Sequence, residues 1–206
     1  MTTQSRCPES KSTEDWSNID NDQFAESVRR RYEELKLKYS TLAIKDVPQL
    51  WLEGVDPAAI YPQECFSRAY HYAVDLCRIE VEGIWLVHGE CGLCFGRHAW
   101  VELPDALVFD GVFQQFFRIE DWEKHILGTA WYKYTPFAAS LISANMPKMD
   151  DGTIDMVWDV KLNLPWFRGM AFEIDENKAI ELITANGLRE EANRQDARTM
   201  TSSRRR

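Results

Sequence analysis

A cysteine at the start of a helix, a histidine on a strand and an aspartate on the next strand are the residue types of an activated thiol nucleophile with its base and orienter. In this chain Cys65, His98 and Asp110 stand in that order. Cys65 lies in the run Pro62-Gln63-Glu64-Cys65-Phe66, and beyond it Phe66, Ala69, Ala73 and Leu76 recur at helical spacing. Pro62 and Glu64 are start-of-helix residues, so a helix is expected to begin close to Cys65. Unsatisfied amides and the positive end of the helix dipole favour a thiolate there. A neighbouring His98 favours it further and can pass the proton to a leaving group. Gln63 or the Cys65 backbone amide is the expected oxyanion donor. Trp100, on the same strand face as His98, is the expected substrate-binding residue.

A hairpin must position the histidine and the aspartate. From Arg97 to Leu103 the chain alternates, with His98, Trp100 and Glu102 on one face and Ala99, Val101 and Leu103 on the other. Pro104-Asp105 supplies the turn. If Leu103 pairs with Leu107, or Glu102 with Ala106, Asp110 returns on the face of His98, opposite it or one diagonal step away. Opposed Cβ atoms stand roughly 4.5–5.5 Å apart and diagonal ones about 7–8 Å, so an imidazole–carboxylate hydrogen bond is within reach. A slip of one residue would part them.

The stretch from Cys65 to Asp110, with His98-Ala99-Trp100-Val101-Glu102 at its centre, resembles the transglutaminase-like branch of the papain-like cysteine superfamily. The resemblance implies Cys65 as nucleophile, His98 as general base and acid and Asp110 as orienter, with no cofactor. It departs from the family where Gly111 stands in place of a frequent proline, and where Gln63 stands in place of a glycine two residues before the nucleophile.

A second constellation competes for His98. His88, Cys91, Cys94 and His98 place a Cys-x-x-Cys pair between two histidines, and thiolate and imidazole are zinc ligands. Four ligands so close in sequence crowd a tetrahedral site, and no second Cys-x-x-Cys exists elsewhere. A redox pair and plain loop thiols are the other readings, since Gly89, Gly92 and Gly96 suggest a loop between two strands.

Composition narrows the function classes. With 206 residues and 45% hydrophobic content the chain can bury a full core. Its net charge of −9 argues against general nucleic-acid binding, which needs clustered Lys and Arg. There is no apolar run long enough to span a bilayer, and no apolar secretory signal follows Met1. Five cysteines, an odd number, fit reduced thiols, so a cytoplasmic location is expected.

Residues 1–21 are poor in apolar groups and are expected to form a disordered arm. Phe24, Val28, Tyr32, Leu35 and Tyr39 follow a helical repeat. Strands are expected at Val81–His88 and Thr153–Leu162, and Val112–Ile119 should extend the sheet. Asp121–Leu127 reads as a short helix, and the aromatics from Trp131 to Phe137 precede an apolar helix at Ala138–Ala144. Asp175 caps a helix that Asn186-Gly187 stops. Residues 188–206 form a charged tail with six arginines against three acids.

The expectation is a single α+β domain over residues 22–187, a papain-like or transglutaminase-like core with helices on one side of a mainly antiparallel sheet. Its chemistry would be thiol-dependent acyl transfer on a protein or peptide amide, with water or an amine as acceptor. The rivals are a zinc-knuckle binding module and an inactive relative used as an interaction domain.

Overall fold

The computed structural model describes residues 21–92, 96–126, 128–149, 151–159, 161–164, 171–191 and 193–195. The expected N-terminal arm up to residue 20, Cys94 and residues 196–206 of the tail lie outside these. The fold is α+β. Among the described residues six strands form one mixed sheet in the order β4-β3-β2-β1-β5-β6. They are β1 (Trp85–Cys91), β2 (Gly96–Leu103), β3 (Leu107–Asp110), β4 (Gln115–Arg118), β5 (Gly128–Tyr134) and β6 (Phe172–Ile174). Every neighbouring pair is antiparallel except β5 with β6.

Helix α1 (Asn21–Tyr39) leads into a connection containing a 3₁₀ turn at Gln49–Leu52, and then into α2 (Cys65–Arg78). On α2 the fully buried Ala69 and Ala73 carry no side chain beyond Cβ, so the helix axis comes close to the sheet. Leu76 completes the buried stripe, which meets Ala99 and Val101 of β2 and Leu86 of β1. The short helix α3 (Ile119–Asp121) runs into a π-helical turn at Trp122–Ile126. Helix α4 (Pro136–Asn145) begins with the Thr135 hydroxyl accepting from the Ala138 amide, and α5 (Glu176–Ala185) with the Asp175 carboxylate accepting from the Lys178 amide.

The helices are not confined to one side, contrary to the sequence expectation. Strand β2 is buried on both faces from His98 to Leu103, so each face needs a cover. Helices α2, α4 and α5 cover the face of Ala99 and Val101. On the other, Leu35 and Tyr39 at the end of α1, together with Trp122 and Ile126, pack on Trp100, Val87 and Val108. On the face of His98, Trp100 packs among apolar neighbours and Glu102 is paired with Lys133 on β5, 2.5 Å from its Oε2.

Three further expectations are corrected. Gly89–Cys91 continue β1 instead of opening a loop, with a bulge between His88 and Gly89 against β5. A Cβ at Gly89 would meet the Trp100 ring and the Thr129 carbonyl, so glycine lets three strands close up there. Thr153–Leu162 is not a strand among its described residues, which contribute one isolated bridge, Ile154 with Lys148. Asp151 and Asp155 accept hydrogen bonds from the amides of Thr153 and Val157, two residues on, and these turns compete with extended backbone. Gly187 at φ 63 stops α5 as expected, yet helical residues follow at 188–191 and 193–195, and Leu188 is buried in the core. Strand β6 had no signal in the sequence reading.

Candidate active site

Cys65 is the first residue of α2, and Glu64 precedes it as the cap. Gln63 has a positive φ of 67. That left-handed conformation is one glycine adopts freely and other residues adopt at a cost. The backbone here therefore has the shape a glycine would favour, although the sequence supplies glutamine. Gln63 is exposed.

The β2–β3 hairpin adopts one of the two anticipated registers. Leu103 pairs with Leu107, Glu102 with Val108 and Val101 with Phe109. Continued outward, this register sets Asp110 level with Trp100 and one diagonal step from His98. The connection runs through Asp105 and Ala106, both at positive φ. From its diagonal position Asp110 places Oδ2 2.9 Å from His98 Nε2. Its other oxygen accepts from the amides of Val112 at 2.7 Å and Phe113 at 3.0 Å. Both side chains of the pair are buried.

Three features bring the thiol to this pair. Val112 and Phe113, which follow Asp110, form a small apolar cluster with Cys65. The Tyr61 amide donates to the Val112 carbonyl at 3.0 Å, tying the approach to α2 to the exit from β3. Gly111 lies against the first turn of α2, where an added Cβ would fall 2.5 Å from Arg68 Cβ. Glycine at this position thus has a local reason: α2 could not sit this close to a larger residue.

Cys65 lies near enough to His98 to help raise its pKa. Since Nε2 is taken by Asp110, the second ring nitrogen, Nδ1, is left for the sulfur. Burial alone would lower the His98 pKa, but the Asp110 carboxylate, its hydrogen bond and Cys65 outweigh it and hold the value well above 6.5. The imidazole thus favours its protonated form, from which it can give up a proton. Trp100 and Trp122 flank the ring, with centroids 6.2 and 6.0 Å from it. Trp100 is almost fully buried and sits beneath the imidazole. Among the described residues its Nε1 and that of Trp122 have no hydrogen-bond partner.

The residues of the zinc alternative do not converge among the described residues, where no group of three or more His, Cys, Asp or Glu is placed to hold a metal. His88 Nδ1 faces Asp159 at 3.0 Å and His98 faces Asp110. Cys91 belongs to the apolar cluster on the Trp100 face, with its sulfur 3.5 Å from the Ile126 carbonyl oxygen.

A second buried cluster escaped the sequence reading. Asp159 Oδ1 accepts from the Tyr134 hydroxyl at 3.2 Å as well as facing His88, and Oδ2 lies 3.8 Å from Arg97 Nη1. His88 and Asp159 are separated by 71 residues, so no local spacing links them. Comparison of the chain with protein-family models, with curated proteins and with solved structures finds no match to any of them.

Proposed function

We propose that the protein is a cysteine-dependent acyl-transfer enzyme of transglutaminase-like or papain-like type acting on protein or peptide amides. The observation that carries this reading is the His98 imidazole held between the Asp110 carboxylate, 2.9 Å away, and Cys65 at the head of α2. Sequence order, helix-start thiol and strand-borne histidine agree with it.

In the proposed cycle the Cys65 thiolate adds to the amide carbonyl carbon, and the resulting oxyanion is met by backbone amides at the start of α2. Collapse breaks the C–N bond as the His98 imidazolium protonates the departing amine. A thioester remains. Water or a second amine then attacks it, His98 takes the attacking group's proton, and the C–S bond breaks to release acid or new amide. Asp110 keeps the imidazole oriented throughout. Cys65 and Cys77 are thiols, which suits a reducing, cytoplasmic setting.

Brief iodoacetamide treatment at neutral pH, followed by peptide mapping, tests the reading. Cys65 should label faster than Cys77, although it is only 8% exposed, because the ion-paired thiolate is the reacting form. Equal labelling of the two argues against activation. Ammonia release, or amine incorporation into a glutamine peptide, lost in Cys65→Ser, would identify the acceptor.

A further inference from the structure

The reacting groups are closed off. Cys65 is 8% exposed, His98 1% and Asp110 0%. A carbonyl carbon must come within about 3–3.5 Å of the nucleophile, so a donor of peptide size needs an opening that these exposures do not provide. Four partly buried residues pack on the cluster that Cys65 forms with Val112 and Phe113: Tyr32, Leu35, Ile60 and Phe66. Phe66 adjoins Cys65 on α2 and stays with it. Tyr32 and Leu35 belong to α1, with the Tyr32 ring centroid 6.2 Å from that of Phe113. Ile60 lies on the connection before α2, and α1 holds that as well, because Lys36 Nζ donates to the Pro57 and Ala59 carbonyls at 2.6 and 2.7 Å. One helix thus supplies or secures most of the cover over the thiol.

That helix is lightly seated over most of its length. Over residues 22–31 every side chain is exposed except the half-buried Val28, and Phe24, the first member of the apolar repeat, is 43% exposed. The C-terminal end is fixed instead. Tyr39 is buried in the cluster around Trp100, and just beyond it the Ile44 amide donates to the Phe116 carbonyl at 2.8 Å. A single helix gains little in water from its own hydrogen bonds, and segments with few buried contacts are the first to open. Opening from the N-terminal end as far as Lys36 gives up the contacts of Val28, Tyr32, Leu35 and Lys36, while Tyr39 keeps the helix attached.

We propose that α1 is an autoinhibitory cap on the thiol site: residues 32–36 close Cys65 to a peptide donor, and unwinding of that stretch from the Tyr39 anchor admits one. This rests on the acyl-transfer reading above. The exposure left to Cys65 serves a small electrophile but not a chain. Release of Lys36 also frees the connection that carries Ile60, so one opening clears both sides of the thiol.

The test compares labelling of Cys65 in the full chain by N-ethylmaleimide and by a maleimide carried mid-chain on a neutral peptide, with Cys77 as internal reference. The reacting group is the same in both, so the ratio of peptide-borne to small reagent reports access and cancels the thiol's own reactivity. In the wild type this ratio should be about tenfold lower at Cys65 than at Cys77. It should rise toward the Cys77 value in the double variant Tyr32→Ala/Leu35→Ala. In Lys36→Met, which keeps the apolar contacts and removes two hydrogen bonds, it should rise about threefold. A wild-type Cys65 ratio equal to that of Cys77, or one that the double variant leaves unmoved, overturns the proposal. If the double variant does not fold, an unmoved ratio in Lys36→Met overturns it equally. Failure of the underlying reading looks different: Cys65 is then no faster than Cys77 toward iodoacetamide in the wild type and the double variant alike, while the maleimide ratio still judges the cap. A Cys65 inert to both maleimides in the wild type supports the cap if the double variant makes it reactive, and overturns it if the double variant does not.

Discussion

His98 Nε2 and Asp110 Oδ2 stand 2.9 Å apart in a fully buried pocket, and the second Asp110 oxygen is held by two backbone amides. The carboxylate thus orients the imidazole and at the same time closes the turn at Val112 and Phe113. Substitutions at Asp110 should separate these two duties.

In Asp110→Asn the amide oxygen can still accept from Val112 and Phe113, while its NH₂ faces His98 and forces the opposite tautomer. The fold should stand, with the melting temperature lowered only by loss of the charged pair. Turnover should fall, with a related triad losing about 10⁴-fold and a cysteine enzyme less. Asp110→Ala should lower stability further, because each buried amide left without an acceptor costs about 1–3 kcal/mol. Kinetics and thermal melts of both variants check this, and wild-type turnover in a well-folded Asp110→Asn would remove the residue from the site.

Proton linkage gives a second expectation, read as the stability of wild type relative to His98→Gln. The folded pKa of His98 is raised above its ordinary 6.5. The stabilisation from this pair is therefore fully present below 6.5, begins to decline above it, and is lost as pH rises through the folded value. Thermal melts from about pH 6 to about pH 10 should show the wild-type advantage shrinking toward alkaline pH. An advantage that grows over this range would mean that His98 is buried neutral.

Gln63 offers a third. Its φ of 67 is a glycine conformation, so Gln63→Gly should keep the melting temperature or raise stability by up to about 1 kcal/mol. With the side chain exposed, and if backbone amides at the head of α2 serve the oxyanion as proposed, kcat/KM should stay within about threefold. A loss on the order of a hundredfold, the usual effect of deleting an oxyanion donor, would assign that role to the Gln63 side chain.

What the sequence determined by itself is local. Apolar spacing and start-of-helix residues placed the beginning of α2 at Cys65, and the two-residue alternation with a turn at Pro104-Asp105 narrowed the hairpin to the registers that put His98 and Asp110 on one face. Asp175 and Gly187 bounded α5 for the same reason, since capping acts within one helical turn. The tertiary structure decided what depends on distant packing. Both faces of β2 are buried because Leu35, Tyr39 and Trp122 come from far along the chain to cover one of them, and alternation alone cannot distinguish a solvated face from one lined by Trp100 and a paired Glu102. Trp158 and Leu162 looked like members of a strand because they are apolar at alternate positions; they are buried from an irregular segment whose aspartates bond their own backbone. The Asp159 cluster assembles residues from β1, β2, β5 and that segment, and only the folded sheet brings side chains so far apart in sequence within reach of one carboxylate.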